Sequence, residues 1–152
     1  LQDVIEDSIS TFEMILQDQE GEISTQLNAS NTTVFGDKLH LTNALVNLIS
    51  NSIKYTTEVP EIVIQTNNSN ENILISISDN GIGIAHKYQK YIFDKYYRVP
   101  TGDVHNAKGF GIGLAYVKRV IEAHGGSIHV ESAENSGTTF TLSLPLLIEK
   151  NV

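Results

Sequence analysis

Two stretches of the chain, residues 61–66 and 73–78, place apolar side chains at every second position, with Ile62 and Ile64 in the first and Ile73, Ile75 and Ile77 in the second. A period of two is the mark of a strand that lays one face on a core. The asparagine-rich residues 67–72 between them are of the type that reverses a chain, so the pair is predicted as a hairpin. A hairpin with one apolar face is not stable alone in water and needs a covering layer. Three stretches carry the spacing of three and four residues that supplies one. In residues 3–19 the stripe is Val4, Ile5, Ile9, Phe12, Ile15 and Leu16, with Gly21 as its stop. A longer helix is predicted from an N-cap at Asp37 to about residue 55, facing inward through Leu41, Ala44, Leu45, Leu48, Ile49 and Ile53. The third, residues 114–123, uses Ala115, Val117, Val120 and Ile121 and closes at Gly125 and Gly126. Residues 22–27, 127–131 and 138–144 read as further strands, and 33–35 as a short extended piece. Residues 80–113, glycine-rich and with few apolar periods, read mostly as loop. No repeat or linker interrupts the chain, so residues 1–152 are predicted as a single α/β sandwich of the α+β class. Its mixed, mostly antiparallel sheet would be covered on one face by three helices.

The formal charge of −8 excludes non-specific attachment to nucleic acid or an anionic membrane, both of which would repel the chain. With no cysteine there is no disulfide framework and no thiolate chemistry. An acidic protein can still hold a phosphate-rich ligand, provided backbone N–H groups, a metal ion and a few local cations do the work. No apolar run reaches the roughly 20 residues of a membrane-spanning helix. The sequence opens on Leu1 rather than Met, which reads as a piece of something longer.

Three groups of residues are suited to chemistry. Asn47, Asn51 and Lys54, at offsets of four and three, share one ridge of the second helix. Amide oxygens suit a hard cation and an ammonium suits phosphate, although such a ridge also reads as a solvated edge. Asp79, Asn80, Gly81, Ile82, Gly83 and Ile84 follow directly on a strand, where a carboxylate can accept hydrogen bonds from a flat ring and glycines let a ligand approach the backbone. A plain Asp-Asn-Gly turn is the other reading. Gly109, Gly111 and Gly113, spaced by Phe110 and Ile112, run through Leu114 into the last helix. Free amides before a helix N-terminus cradle anions. Neither the dinucleotide fingerprint nor the P-loop fits, because Leu114 stands where the former needs glycine and no Gly-Lys-Ser/Thr occurs.

In order and spacing these segments resemble the sensor histidine kinase branch of the ATPase superfamily that includes gyrase, the Hsp90 chaperones and MutL (the Bergerat fold). Residues 45–55 are similar to its N box and 79–84 to its G1 box. Residues 91–98, with Phe93, Lys95 and Arg98, are similar to its F box, and 109–114 to its G2 box. Gly137, Thr138, Thr139 and Phe140 resemble its short glycine–threonine motif.

That resemblance implies ATP and Mg²⁺ as cofactors. Asp79 would take the adenine amino group, with Thr139 nearby through water, and Asn51 would hold the Mg²⁺. Lys54 and Tyr55 would line the phosphate and adenine regions, and Gly81, Gly83 and Ile84 would lie against the base. Gly109, Gly111, Ile112, Gly113 and Leu114 would cradle the phosphates. Residues 85–110 would form a mobile lid anchored by Phe93, with Lys95 or Arg98 available to the γ-phosphate. The ATP-hydrolysing branches carry a glutamate where Asn47 stands, and asparagine has no basic lone pair for a water proton. The resemblance therefore implies transfer to a protein histidine, on a dimerisation domain outside this chain, for relay to a response regulator. None of His40, His86, His105, His124 and His129 has the sequence context of the family's acceptor, so the chain is not expected to phosphorylate itself. It is expected to be a cytoplasmic monomeric domain of a dimeric, often membrane-anchored parent. Three rivals are a degenerate binding module, a serine kinase of the anti-sigma-factor type, and a gyrase-like ATPase machine. The intact motifs, the 93–98 stretch and Asn47 disfavour them in that order.

Overall fold

The computed structural model describes residues 1–100 and 110–147. Its elements in chain order are α1 (Gln2–Ser10), α2 (Glu13–Asp18), β1 (Glu22–Leu27), α3 (Lys38–Lys54), β2 (Glu61–Ser69), β3 (Asn72–Asp79), α4 (His86–Gln89), α5 (Gly113–Ala123), β4 (Ser127–Ser132) and β5 (Thr138–Pro145). The five strands form one sheet in the order β1-β2-β3-β5-β4. The β1–β2 pair is parallel and the other three are antiparallel. The mixed, mostly antiparallel sheet expected from the sequence is what forms.

Period two decides which face is dry. Ile62, Ile64, Ile73, Ile75, Ile77, Phe140, Leu142 and Leu144 all point to the helical side and are buried. The other face carries polar pairs, Ser78 with Thr139 at 2.8 Å and Gln65 with Gln26 at 2.7 Å. Across the dry face, α3 packs between α1 and α5. It buries Leu41, Ala44, Leu45, Leu48 and Ile49. A lone 17-residue helix is marginal in water. Each buried leucine or isoleucine contributes about 1.5–3 kcal/mol, so tertiary packing holds α3 in place. Its start is fixed locally, because the Asp37 side chain accepts from the His40 N–H at 2.9 Å, as the N-cap reading expects. That bond holds the Asp37 carboxyl below its ordinary value.

Three local expectations need correction. The single helix expected over residues 3–19 is two, broken at Thr11 and Phe12. The Ser10 and Thr11 hydroxyls both donate to the Asp7 carbonyl, at 2.9 and 3.1 Å, and compete with continuation of the helix. Phe12, at the break, is buried in the core. The chain leaves α2 through a left-handed Glu20, and the Gly21 N–H donates back to the Leu16 carbonyl at 2.8 Å, so the helix stops where Gly21 was expected to end it. The hairpin turn is also shorter than residues 67–72. Asn67, Asn68 and Ser69 pair with Leu74, Ile73 and Asn72, so the reversal is left to Asn70 and Glu71. Asn68 stays in the ladder while its side chain pins residues 30 and 31. The extended piece expected over 33–35 reduces to one bridge, Val34 with Leu146. Among the described residues no helix is long and apolar enough to cross a membrane.

Candidate functional site

The C-terminal half of α3, the end of β3 and the start of α5 converge on one cavity of about 430 Å³. Helical spacing brings Asn47, Asn51, Lys54 and Tyr55 to its wall, and the chain leaving β3 adds Asp79, Gly81, Gly83 and Ile84. Gly111, Ile112, Gly113 and Leu114 close the opposite end, and Arg98 enters from the segment above. Residues far apart in the sequence thus meet because α3 packs against both β3 and α5.

Asp79 is the most constrained polar group there. Its Oδ1 accepts from the Gly81 N–H at 2.9 Å and the Thr138 N–H at 3.1 Å. Its Oδ2 accepts from the buried Ser52 hydroxyl at 2.9 Å. Burial pushes the Asp79 carboxyl above its ordinary value, and these three hydrogen bonds oppose that rise without cancelling it. The folded state therefore holds this proton more tightly than the unfolded chain. The stability that the proton confers is present at low pH and is lost as pH rises above 3.8 through the raised value. Asp79→Asn is expected to be the more stable protein at neutral pH. Its advantage in urea unfolding should close as pH is lowered towards 4, and an advantage that grows on acidification would contradict the burial argument.

The neighbouring Asn80 faces away from the cavity's chemistry. Its side chain takes the Glu61 N–H and donates to the Val59 carbonyl, both at 2.9 Å, tying the start of β2 to the end of β3. At the other end, the N-cap of α5 is Ile112, and among the described residues no side chain caps its leading amides. A β-carbon on Gly113 would lie 2.8 Å from Asn47 Oδ1, so the start of α5 packs closely against the Asn47 side chain of α3. The Asn47 amide nitrogen donates to the Asn43 carbonyl at 2.8 Å, which leaves its oxygen facing α5. The Lys54 ammonium lies 5.3 Å from the centre of the Tyr55 ring.

Some expected site residues are placed elsewhere. Thr139 points to the far face of the sheet, against Ser78, and the threonine in the cavity is Thr138. Strand alternation carried that signal, since Phe140 must face the core and Thr138 shares its side. Phe93 does not line the cavity. It packs edge-on against Phe140 with ring centres 6.3 Å apart, and its neighbour Ile92 reaches the cavity instead. Lys95 is exposed and outside the lining. Gly109 and His105, with the part of the expected lid at 101–109, lie outside the described residues. Tyr97, Val99 and Phe110 line the cavity and were not singled out for it by the sequence. The Tyr96 N–H donates to the Gly111 carbonyl at 2.8 Å, which joins this segment to the glycine loop.

A carboxylate with one oxygen turned to an apolar-walled slot, an open amide cradle and an amide ridge between them suit a purine nucleotide. Residues 36–148 match the family described as Histidine kinase-, DNA gyrase B-, and HSP90-like ATPase. The chain belongs to that family. Relatives of this ATPase family include the sensor protein RprX of Bacteroides fragilis (strain YCH46), 45% identical over 141 residues, covering 91% of this chain and 27% of that protein. The sensor-like histidine kinase SenX3 of Mycobacterium tuberculosis (strain ATCC 25618 / H37Rv) is 37% identical over 146 residues, 96% of this chain and 35% of that protein. The chain therefore spans about a quarter to a third of the length of these relatives. The catalytic domain of histidine kinase ThkA superposes with a TM-score of 0.78 at 26% identity, over 95% of this chain and 93% of that one. The chain is a histidine kinase ATPase domain of the two-component sensor kind.

Proposed function

We propose that this domain binds Mg²⁺-ATP in the cavity and presents the γ-phosphate to a histidine on a separate helical dimerisation domain, for relay to a response regulator. The observation that carries the reading is the Asp79 carboxylate, pinned by three donors and facing the same cavity as the uncapped start of α5. Asp79 accepts the adenine amine, and Tyr55, Ile84 and Ile92 supply apolar contact for the ring. The leading amides of α5 take phosphate oxygens, where the helix dipole favours negative charge. The Asn51 amide oxygen is the protein ligand for Mg²⁺, and Lys54 and Arg98 add positive charge around the phosphates. When bound, Mg²⁺-ATP supplies the phosphoryl group and the cation that offsets its charge. Asn47 cannot accept a proton from water, so the domain positions the phosphate for transfer rather than for hydrolysis. Of the two cations expected at the γ-phosphate, Arg98 is favoured over Lys95 by its place in the lining. The domain works in the cytoplasm, where ATP is available, as a monomeric part of a dimeric parent.

Radiolabelled ATP and Mg²⁺, mixed with this chain and a histidine-bearing helical domain as a second polypeptide, test the reading. The second polypeptide should gain a label that is lost in acid and kept in base, and the chain alone should gain none. An acid-stable label would point to a hydroxyl acceptor and the serine-kinase alternative. Binding without transfer to any acceptor would favour the degenerate module.

A further inference from the structure

Ser52 lies in the middle of α3 with 2% of its surface exposed, in a helix whose other inward positions are apolar. Its hydroxyl proton is shared between the Leu48 carbonyl at 3.2 Å and Asp79 Oδ2 at 2.9 Å. The nearer, charged acceptor takes the larger part of it. Asp79 Oδ1 already receives two backbone N–H groups, which fill its in-plane acceptor positions. Oδ2 receives only Ser52 among the described residues, which leaves one in-plane lone pair for a ligand. Two donors on Oδ1 do not fix the direction of that lone pair by themselves, because small rotations about the Cβ–Cγ bond preserve them. A third donor on the other oxygen, from a rigid helix, does.

We propose that Ser52 is a positioning residue that aims the free lone pair of Asp79 and so sets how strongly the site prefers a 6-amino purine. This rests on the assignment of Asp79 to the adenine amine. Removing the hydroxyl leaves the carboxylate in place but broadly oriented. The loss then falls on the one contact that the amine makes and not on the phosphate contacts some distance away.

Calorimetric titration of ATP and of purine riboside triphosphate, which lacks the 6-amino group, tests this in the wild type, Ser52→Ala and Ser52→Cys. Alanine is the best helix former and cysteine keeps the volume while donating weakly, so both should fold, as thermal melts will show. The wild type is expected to prefer ATP by about tenfold or more, the worth of a hydrogen bond to a charged acceptor. Both variants should show that preference cut to about threefold or less, with the affinity for the analogue little changed. If a variant weakens both nucleotides by one common factor, Ser52 is only structural and the inference fails, while Asp79 keeps its role. A preference lost in Ser52→Ala but kept in Ser52→Cys would assign the effect to packing, which also overturns it. A wild type that binds the two nucleotides equally would remove the Asp79 assignment and this inference together.

Discussion

Replacing Asp79 by asparagine is expected to leave a folded domain that has lost most of its affinity for ATP. The isostere has one orientation that the surroundings accept. Its oxygen must stay where Oδ1 is, facing the Gly81 and Thr138 N–H groups, because the amide nitrogen there would oppose two donors. Its nitrogen then takes the place of Oδ2, and the Ser52 hydroxyl can accept from it while donating to the Leu48 carbonyl. The protein network survives, but the edge turned to the cavity changes from acceptor to donor and meets the donor amine of adenine. Loss of a hydrogen bond to a charged acceptor costs about 2–3 kcal/mol, or roughly 30- to 150-fold in affinity. Calorimetric titration of Mg²⁺-ATP into both proteins reads this directly. Equal affinities would mean that the base lies against other residues.

Gly137→Ala should damage the fold and the site together. Gly137 has a φ of +76°, and a β-carbon there would run into the Asp79 carbonyl. Left-handed backbone costs a non-glycine residue about 1–2 kcal/mol, and overpacking adds about 1–3 kcal/mol. Relief by movement is limited, because β3 and β5 are paired from Asp79–Thr138 inward and the Gly137 N–H donates to the Gly81 carbonyl at 3.1 Å. A total near 3 kcal/mol is a large part of the roughly 5–15 kcal/mol that stabilises a domain, and should lower the melting temperature by about 10 °C. Any shift of the 137–138 backbone also withdraws the Thr138 N–H from Asp79, so nucleotide binding should fall with stability. Gly125→Ala separates the two costs. Gly125 has a φ of +73°, but a β-carbon there would meet only Pro145 Cγ at 3.6 Å. That variant should lose about 1 kcal/mol and keep its nucleotide affinity. If both variants melt alike, the collision at Asp79 is not the source of the cost.

Much of this molecule is written in short-range signals. The sheet strands announce themselves because one face must be apolar, and period two makes that visible at Ile62 and Ile64 as at Ile73, Ile75 and Ile77. Asp37 marks the start of α3 because a carboxylate that accepts an amide proton acts within three residues. The ridge of Asn47, Asn51 and Lys54 and the glycines before α5 could be named as cavity residues for the same reason. Where two local signals compete, the short-range pattern alone does not decide the structure. The apolar stripe over residues 3–19 continues through Phe12, but nothing in that stripe reveals that the Ser10 and Thr11 hydroxyls share the Asp7 carbonyl. Thr138 and Thr139 differ by one residue, which on a strand means opposite faces.

The family, the order of the elements, the faces they bury and most of the residues that meet in the cavity are set by short-range patterns in the chain. These follow from periodicity, caps and motif spacing, which act over a few residues. How the carboxylate of Asp79 is held depends on packing in three dimensions. Its three donors come from α3, the turn after β3 and the first residue of β5, and no spacing in the chain brings Ser52, Gly81 and Thr138 around one side chain. Their meeting depends on β3 lying between β2 and β5 with α3 packed across its dry face, and that arrangement is settled by burial of the whole core.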